Sequence, residues 1–178
     1  MKRIFLALIV MLASISSFAQ VKGDKAVGVN LSYGTEISSI GIGVKGQYNI
    51  TDVIRGEASF GYFLEKDGMK MWDINVNAHY LFPVAEKIKV YPLVGFTYSN
   101  WRGGWSIDDE ETREWMKELG AEDDELGETS NMGRFGVNLG GGASYDLTDK
   151  LSLNFELKYQ LISDFNQAVF SIGAAYKF

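Results

Sequence analysis

At 178 residues the chain is long enough for a single domain, and with 23 acidic against 17 basic residues its formal net charge is −6. That balance argues against nucleic acid as a partner, because binding phosphates needs a basic face. The absence of cysteine excludes a disulfide framework, thiol chemistry and lipid attachment at a cysteine, while 20 glycines and 13% aromatic residues suit strands and tight turns.

The chain opens with Lys2 and Arg3, an apolar run from Ile4 to Ile15, and the small-residue site Ser17, Phe18, Ala19. These are the three parts of a secretory signal peptide, so residues 1–19 are expected to be removed and 20–178 to form one mature domain. An apolar run of about a dozen residues falls short of the roughly 20 that a spanning helix needs. Losing Lys2 and Arg3 takes the formal charge from −6 to −8.

From Lys25 onward, stretches of about ten residues alternate apolar and polar with period two, the mark of strands whose faces meet different solvents. Eight are expected. In the first, Val27, Val29, Leu31 and Tyr33 share one face against Gly28, Asn30 and Ser32. The second sets Ile40, Ile42, Val44, Tyr48 and Ile50 against Lys45, Gln47 and Asn49. The third sets Ile54, Ala58, Phe60 and Tyr62 against Arg55, Glu57 and Ser59, and the fourth sets Trp72, Ile74, Val76, Ala78, Tyr80 and Phe82 against Asp73, Asn75, Asn77 and His79. The fifth, about residues 88–98, is the weakest, because Tyr91 and Leu93 compete with Val90, Val94 and Phe96 for the apolar face and Pro92 removes a ladder donor. A bulge is expected near Pro92. In the sixth, Phe135, Val137, Leu139, Ala143 and Tyr145 oppose Arg134, Asn138 and Ser144. Leu151, Leu153, Phe155, Leu157, Tyr159 and Leu161 oppose Ser152, Asn154, Glu156, Lys158 and Gln160 in the seventh, and Phe170, Ile172, Ala174, Tyr176 and Phe178 oppose Ser171, Gly173 and Lys177 in the eighth.

The connections alternate as well. Residues 49–52, 83–87 and 146–150 read as short turns, and 65–70 and 99–132 as longer loops, with shorter links at 35–39 and 163–167. Aromatics then sort by depth: Tyr48, Tyr80, Phe82, Tyr145, Tyr176 and Phe178 near the short turns, and Tyr33, Phe60, Tyr62, Trp72, Phe96, Tyr98, Phe135, Tyr159 and Phe170 near the other end. Two aromatic girdles with aliphatics between them are what a bilayer selects. Asn49, Ile50 and Thr51 match a glycosylation sequon but read as a hairpin turn.

The even strand count, the two-faced alternation and the terminal aromatic of Tyr176, Lys177 and Phe178 resemble the small outer-membrane barrels of the OmpA transmembrane domain and OmpX type. In style the chain is similar to the outer-membrane β-barrel domain proteins common in the Bacteroidota. The resemblance covers essentially all of the mature chain. It implies an all-β fold, an eight-stranded antiparallel up-and-down transmembrane β-barrel with one long acidic extracellular loop, surrounded by outer-membrane lipid. It also implies that the barrel assembly machinery reads Phe178. The peptidoglycan-binding domain of full-length OmpA is not expected here.

A barrel of eight strands is just wide enough for side chains to fill it. The inward positions carry Lys45, Arg55, Arg134, Lys158 and Lys177 against Glu57, Asp73 and Glu156. Because buried charges must be paired, Lys45, Arg55, Glu57, Arg134, Glu156 and Lys158 are expected to form a lumen network, either a structural plug or an ion path gated by Glu57 and Glu156. His79, near the short-turn end, has no nucleophile beside it, so no catalytic, cofactor or metal residue is assigned.

The loop 99–132 is the expected site of individual function and of any surface ligand. Asp108, Asp109, Glu110, Glu111, Glu114, Glu118, Glu122, Asp123, Asp124, Glu125 and Glu128 far outweigh Arg113 and Lys117. It reads as a solvated acidic loop or an oxygen-rich place for a divalent cation, although no EF-hand pattern is present. Trp115, Met116 and Leu119 predict a short helix over residues 112–119, capped by Ser106 or Asp108. Trp101 and Trp105 mark where the loop leaves the outer girdle, or an exposed binding patch. Gly140, Gly141 and Gly142 lie within a strand, which suits a kink or close packing of interior side chains rather than a phosphate loop. The functional expectation is a non-enzymatic envelope or surface-interaction protein, with a narrow pore and a lipid-modifying enzyme as alternatives, and a soluble lipocalin-like carrier as the structural outsider.

Overall fold

The computed structural model describes residues 22–106, 110–119 and 127–178. The leader reading over 1–19 and the acidic residues Asp108, Asp109, Glu122, Asp123, Asp124 and Glu125 fall outside them. The described strands are β1 (Lys25–Gly34), β2 (Ser39–Asn49), β3 (Ile54–Lys66), β4 (Met69–Tyr80), β5 (Phe82–Ala85), β6 (Ile88–Ser106), β7 (Gly127–Asp146), β8 (Leu151–Ile162) and β9 (Gln167–Lys177), with helix α1 (Glu110–Glu118) between β6 and β7. Apart from β4 and β5, successive strands pair antiparallel, β1 pairs with β9, and β4 pairs with β6, which closes the sheet on itself. Since β4 and β5 both lie against β6, they form one stave, and the barrel has eight.

The alternation fixes which face each side chain takes. Val29, Ile42, Val76, Phe96 and Ile172 point outward and stand more than half exposed, whereas Gln47, Asn75, Asn138 and Asn154 point inward and are buried. An apolar outside around a polar inside inverts a water-soluble barrel and suits a lipid surround, where every backbone N–H and C=O must be paired within the protein.

Pro92 acts differently from expectation. Its own pairing with β7 runs unbroken, Pro92 opposite Gly141, with Tyr91 and Leu93 buried inside and Val90, Val94 and Phe96 outside. Lacking an N–H, it interrupts the ladder on its other side, where β4 gives way to β5. His79 faces Leu93 and Phe82 faces Val90, so no residue is gained or lost there, and the register shift comes later, between Pro83 and Ala85. On its other edge the chain carries the β3–β4 register one step further, and the Leu81 N–H donates to the Val53 carbonyl at 2.7 Å.

The short-turn end is built twice from one device. Thr51 Oγ1 accepts from the N–H groups of Val53 and Ile54, and Thr148 Oγ1 accepts from those of Lys150 and Leu151. Both expected longer loops contain ladder. Lys66 pairs with Met69 across a two-residue turn whose Asp67 and Gly68 have φ of 52° and 74°, the signature of the tight hairpin turn with both central residues left-handed. Both ends of the stretch 99–132 continue β6 and β7, paired from Ser99 opposite Arg134 to Ser106 opposite Gly127. Helix α1 starts at Glu110, two residues earlier than read from the sequence, and Asp108 lies outside the described residues.

The interior is layered. At the long-hairpin end Ile37, Phe63, Met71, Trp101 and Val169 pack into an apolar plug, with Phe165 stacked on Trp101 at 4.6 Å. Trp101 is therefore not an exposed patch, being 2% exposed and turned into the barrel, where its indole N–H donates to Ser99 Oγ. Nearer the short-turn end Leu81, Tyr91 and Leu93 form a smaller apolar group. Gly142 makes room for Tyr91, since a Cβ there would lie 2.6 Å from Tyr91 Cζ.

Val76→Arg, on the lipid face, is expected to destabilise the barrel by about 2–4 kcal/mol, read by equilibrium folding into phosphatidylcholine vesicles. Asn75→Arg, one residue away, should act through the lumen and leave lipid contact unchanged. A harmless Val76→Arg would reverse the faces of β4.

Candidate functional site

Period two brings β2, β3, β4, β6 and β8 together at one level of the lumen. There Lys45 Nζ lies 3.2 Å from Glu57 Oε2, which also accepts from Gln47 Nε2 at 2.7 Å. Next to Glu57 on the same face of β3, Arg55 donates from Nε and Nη2 to Nδ1 of His79 at 3.2 and 2.9 Å. Its guanidinium also sits 4.7 Å over the ring of Tyr91, which stacks on His79 with centroids 4.6 Å apart. Tyr91 Oη donates to Glu156 Oε2 at 3.3 Å, which ties β6 to β8.

Of the six residues assigned to the network from sequence, Lys45, Arg55, Glu57, Glu156 and Lys158 are buried in the lumen. Arg134 is not brought to them. It stands half-exposed at the long-hairpin end, 3.8 Å from the exposed Asp164, because β7 rises past the barrel rim there. Lys45 and Glu57 form the ion pair of this level. The acceptor bond that Glu156 receives comes from Tyr91, a residue that Pro92 left ambiguous in the sequence.

Two further layers complete the interior. Above the charges, Gln160 Nε2 donates to Asp73 Oδ2 and Asn75 Oδ1, both at 3.0 Å, and Asn138 Nδ2 donates to Asn75 and Asn77 Oδ1, both at 2.9 Å. Gln167 Nε2 donates to Gln160 Oε1 at 2.7 Å, which joins these amides to the apolar plug above. Below, at the short-turn mouth, Asp146 sits between Lys89 and Lys177, accepting from Lys177 Nζ at 2.7 Å. Lys89 and Asp146 were missed in sequence, Lys89 because its strand was ambiguous and Asp146 because it reads as a turn residue.

Glu57, His79 and Glu156 offer atoms within 4.8 Å of one another, the spacing of a metal cradle. The donor set does not fit a cation. Nδ1 of His79 already accepts from Arg55, so the ring proton belongs on Nε2, the nitrogen a metal would need. Lys45, Arg55 and Lys158 also line the same level, three cations against two carboxylates.

Glu57→Ala would leave Lys45 and the Gln47 amide without their acceptor inside the barrel. The expected cost is about 3–5 kcal/mol in urea unfolding from vesicles, against less than about 1 kcal/mol for Glu65→Ala in the exposed Lys70–Glu65 pair. Equal costs would mean that the lumen is wet enough to solvate Lys45.

The architecture has close counterparts among solved structures. The N-terminal β-barrel domain of Pseudomonas aeruginosa OprF aligns with a TM-score of 0.66 at 15% identity, covering 89% of this chain and 100% of that one. Neisserial surface protein A aligns at 0.62 and 13% identity, covering 91% and 100%. Ail, the attachment invasion locus protein of Yersinia pestis, aligns at 0.58 and 14% identity, covering 89% and 100%. At these identities the likeness is one of fold. No curated protein matches the sequence. The family model for the outer membrane protein beta-barrel domain matches residues 5–178, and the chain belongs to that family.

Proposed function

We propose that this protein is a non-enzymatic outer-membrane barrel with a closed lumen, exported by its leader, that acts through the β6–β7 hairpin at the cell surface, with its short turns in the periplasm. The observation that carries this reading is the inequality of the strands. β6 and β7 pair as far as Ser106 opposite Gly127, whereas β8 leaves β7 at Gly136 and β4 leaves β6 at Gly103. Residues 127–135 of β7 thus have an edge without a ladder partner among the described residues, above the rim, and α1 beyond it presents Glu111, Glu114 and Glu118 to solvent. An open strand edge and an acidic helix are contact surfaces for an external partner. The attachment named for the Yersinia protein is consistent with such a role.

The apolar plug, the amide layer and the charged level support the reading of a closed lumen, and in it Lys45, Arg55, Glu57, Glu156 and Lys158 serve as structure. At the seam of the barrel, Phe178 is exposed and its N–H donates to the Lys25 carbonyl at 3.0 Å, a position that suits the proposed recognition by the assembly machinery.

In planar bilayers the purified protein should give no steady openings, and replacing residues 104–129 with a short Gly-Ser link should leave a barrel that still shifts its gel mobility on heating. Protease applied to intact cells should cut the wild-type hairpin. Steady cation-selective openings would sink the closed lumen and favour the narrow pore, and protection of the hairpin in intact cells would sink its surface location.

A further inference from the structure

We infer that the outer face of β4, β6 and β7, at the long-hairpin end, holds the phosphate of an anionic membrane lipid. Phe60, Trp72, Tyr98 and Phe135 form one chain of rings on the lipid face, with successive centroids 6.2, 5.6 and 4.8 Å apart. Rings in this arrangement mark the boundary between acyl chains and headgroups. Lys70, Arg102 and Asn131 stand directly opposite one another in the register, one outward-facing row, about 7 Å, beyond Trp72 and two rows beyond Tyr98 and Phe135 toward the hairpin tip. That is the depth of headgroup phosphates.

Two cations facing each other across a ladder repel, so the row has a reason to bind an anion. Glu65 meets Lys70 at 3.2 Å, but it is well exposed and such a pair is weak. The Arg102 side chain is held in place by its Nε, which donates to Asn131 Oδ1 at 2.8 Å. Between the rings and the cations lies Gly133, over which the Tyr98 hydroxyl reaches; a Cβ on Gly133 would stand 2.4 Å from that oxygen. A phosphate diester at this depth meets the Tyr98 hydroxyl below and Lys70 and Arg102 above, with its acyl chains on Trp72 and Phe135. The inference needs the barrel in a membrane and is independent of whether the lumen conducts.

Quenching of tryptophan fluorescence by brominated acyl chains tests it in a Trp105→Phe, Trp115→Phe background, because the tryptophans then left are Trp72, which faces lipid, and Trp101, which is turned into the plug. The barrel is folded into phosphatidylcholine vesicles containing a minor fraction of brominated phosphatidylglycerol, or the same fraction of brominated phosphatidylcholine. Phosphatidylglycerol should associate beside Trp72 more strongly, by about fivefold for each cation engaged. Lys70→Gln and Arg102→Gln should each remove about fivefold, and the double variant should make the two lipids equal, with heat-shifted gel mobility showing that each variant folds. Lys150→Gln, at the opposite end, should change nothing. Equal quenching by the two lipids in the parent background, or an equal loss with Lys150→Gln, would overturn the site in favour of unspecific membrane electrostatics. Inorganic phosphate at millimolar concentration should not reverse the enrichment; full reversal would assign the cations to a free anion and overturn the lipid.

Discussion

The constraint on which everything else rests is that lipid offers no partner to a backbone N–H or C=O. A sheet in that surround must close, and here it closes through the antiparallel pairing of β4 with β6, from Met69 opposite Gly103 to His79 opposite Leu93. Closure with eight staves sets a lumen too narrow to stay empty, so half of every strand must be written for a packed interior and half for hydrocarbon. At Pro92 the ladder between β4 and β6 is interrupted, yet the other edge stays paired, with the Leu81 N–H donating to the Val53 carbonyl.

The interior obeys a second rule, that polar groups out of water need partners, and it does so by layers. Apolar side chains seal the long-hairpin end, amides link non-neighbouring strands in the middle, and ions sit toward the short turns. The polar contacts skip over a strand: Asn138 of β7 reaches Asn75 and Asn77 of β4, and Tyr91 of β6 reaches Glu156 of β8. These cross-links make the plug part of the wall rather than a filling inside it. Arg55 shows the economy of the arrangement, since one guanidinium is met by an imidazole nitrogen on one side and an aromatic face on another.

Most of the barrel was legible in the sequence because lipid imposes a period of two on residues such as Val27, Val29 and Leu31, and nothing local competes with it. The reading failed where both faces are apolar. Tyr91 and Leu93 point inward beside outward Val90 and Val94, and Phe63, Met71, Trp101 and Val169 form the plug with the same residue types that elsewhere face lipid. Composition cannot separate inside from outside when the inside is also greasy; only the register does. The loops failed for another reason. Asp67 and Gly68 carry a recognisable hairpin signal, but the charged residues around them read as a longer loop, and the glycines and polar residues of 99–132 hid a continuous ladder. Of the lumen residues, Arg134 alternates correctly and still misses the charge layer, because parity gives the face of a residue and not its height.

The one-sided pairing of upper β7 has a consequence for motion. Within the barrel every described strand except the short β5 is hydrogen-bonded on both edges, so an amide there is released only by opening the closed wall. Above Gly136 the only ladder on β7 is to β6, and residues 127–135 can separate from it with the loss of just the exposed Arg134–Asp164 contact to the rest of the wall. The molecule therefore contains two cooperative units of very different stability in one unbroken pair of strands, with amide hydrogen exchange falling sharply across the Gly136–Ile162 level. The upper unit can fray and re-form on its own timescale while the wall below stays shut.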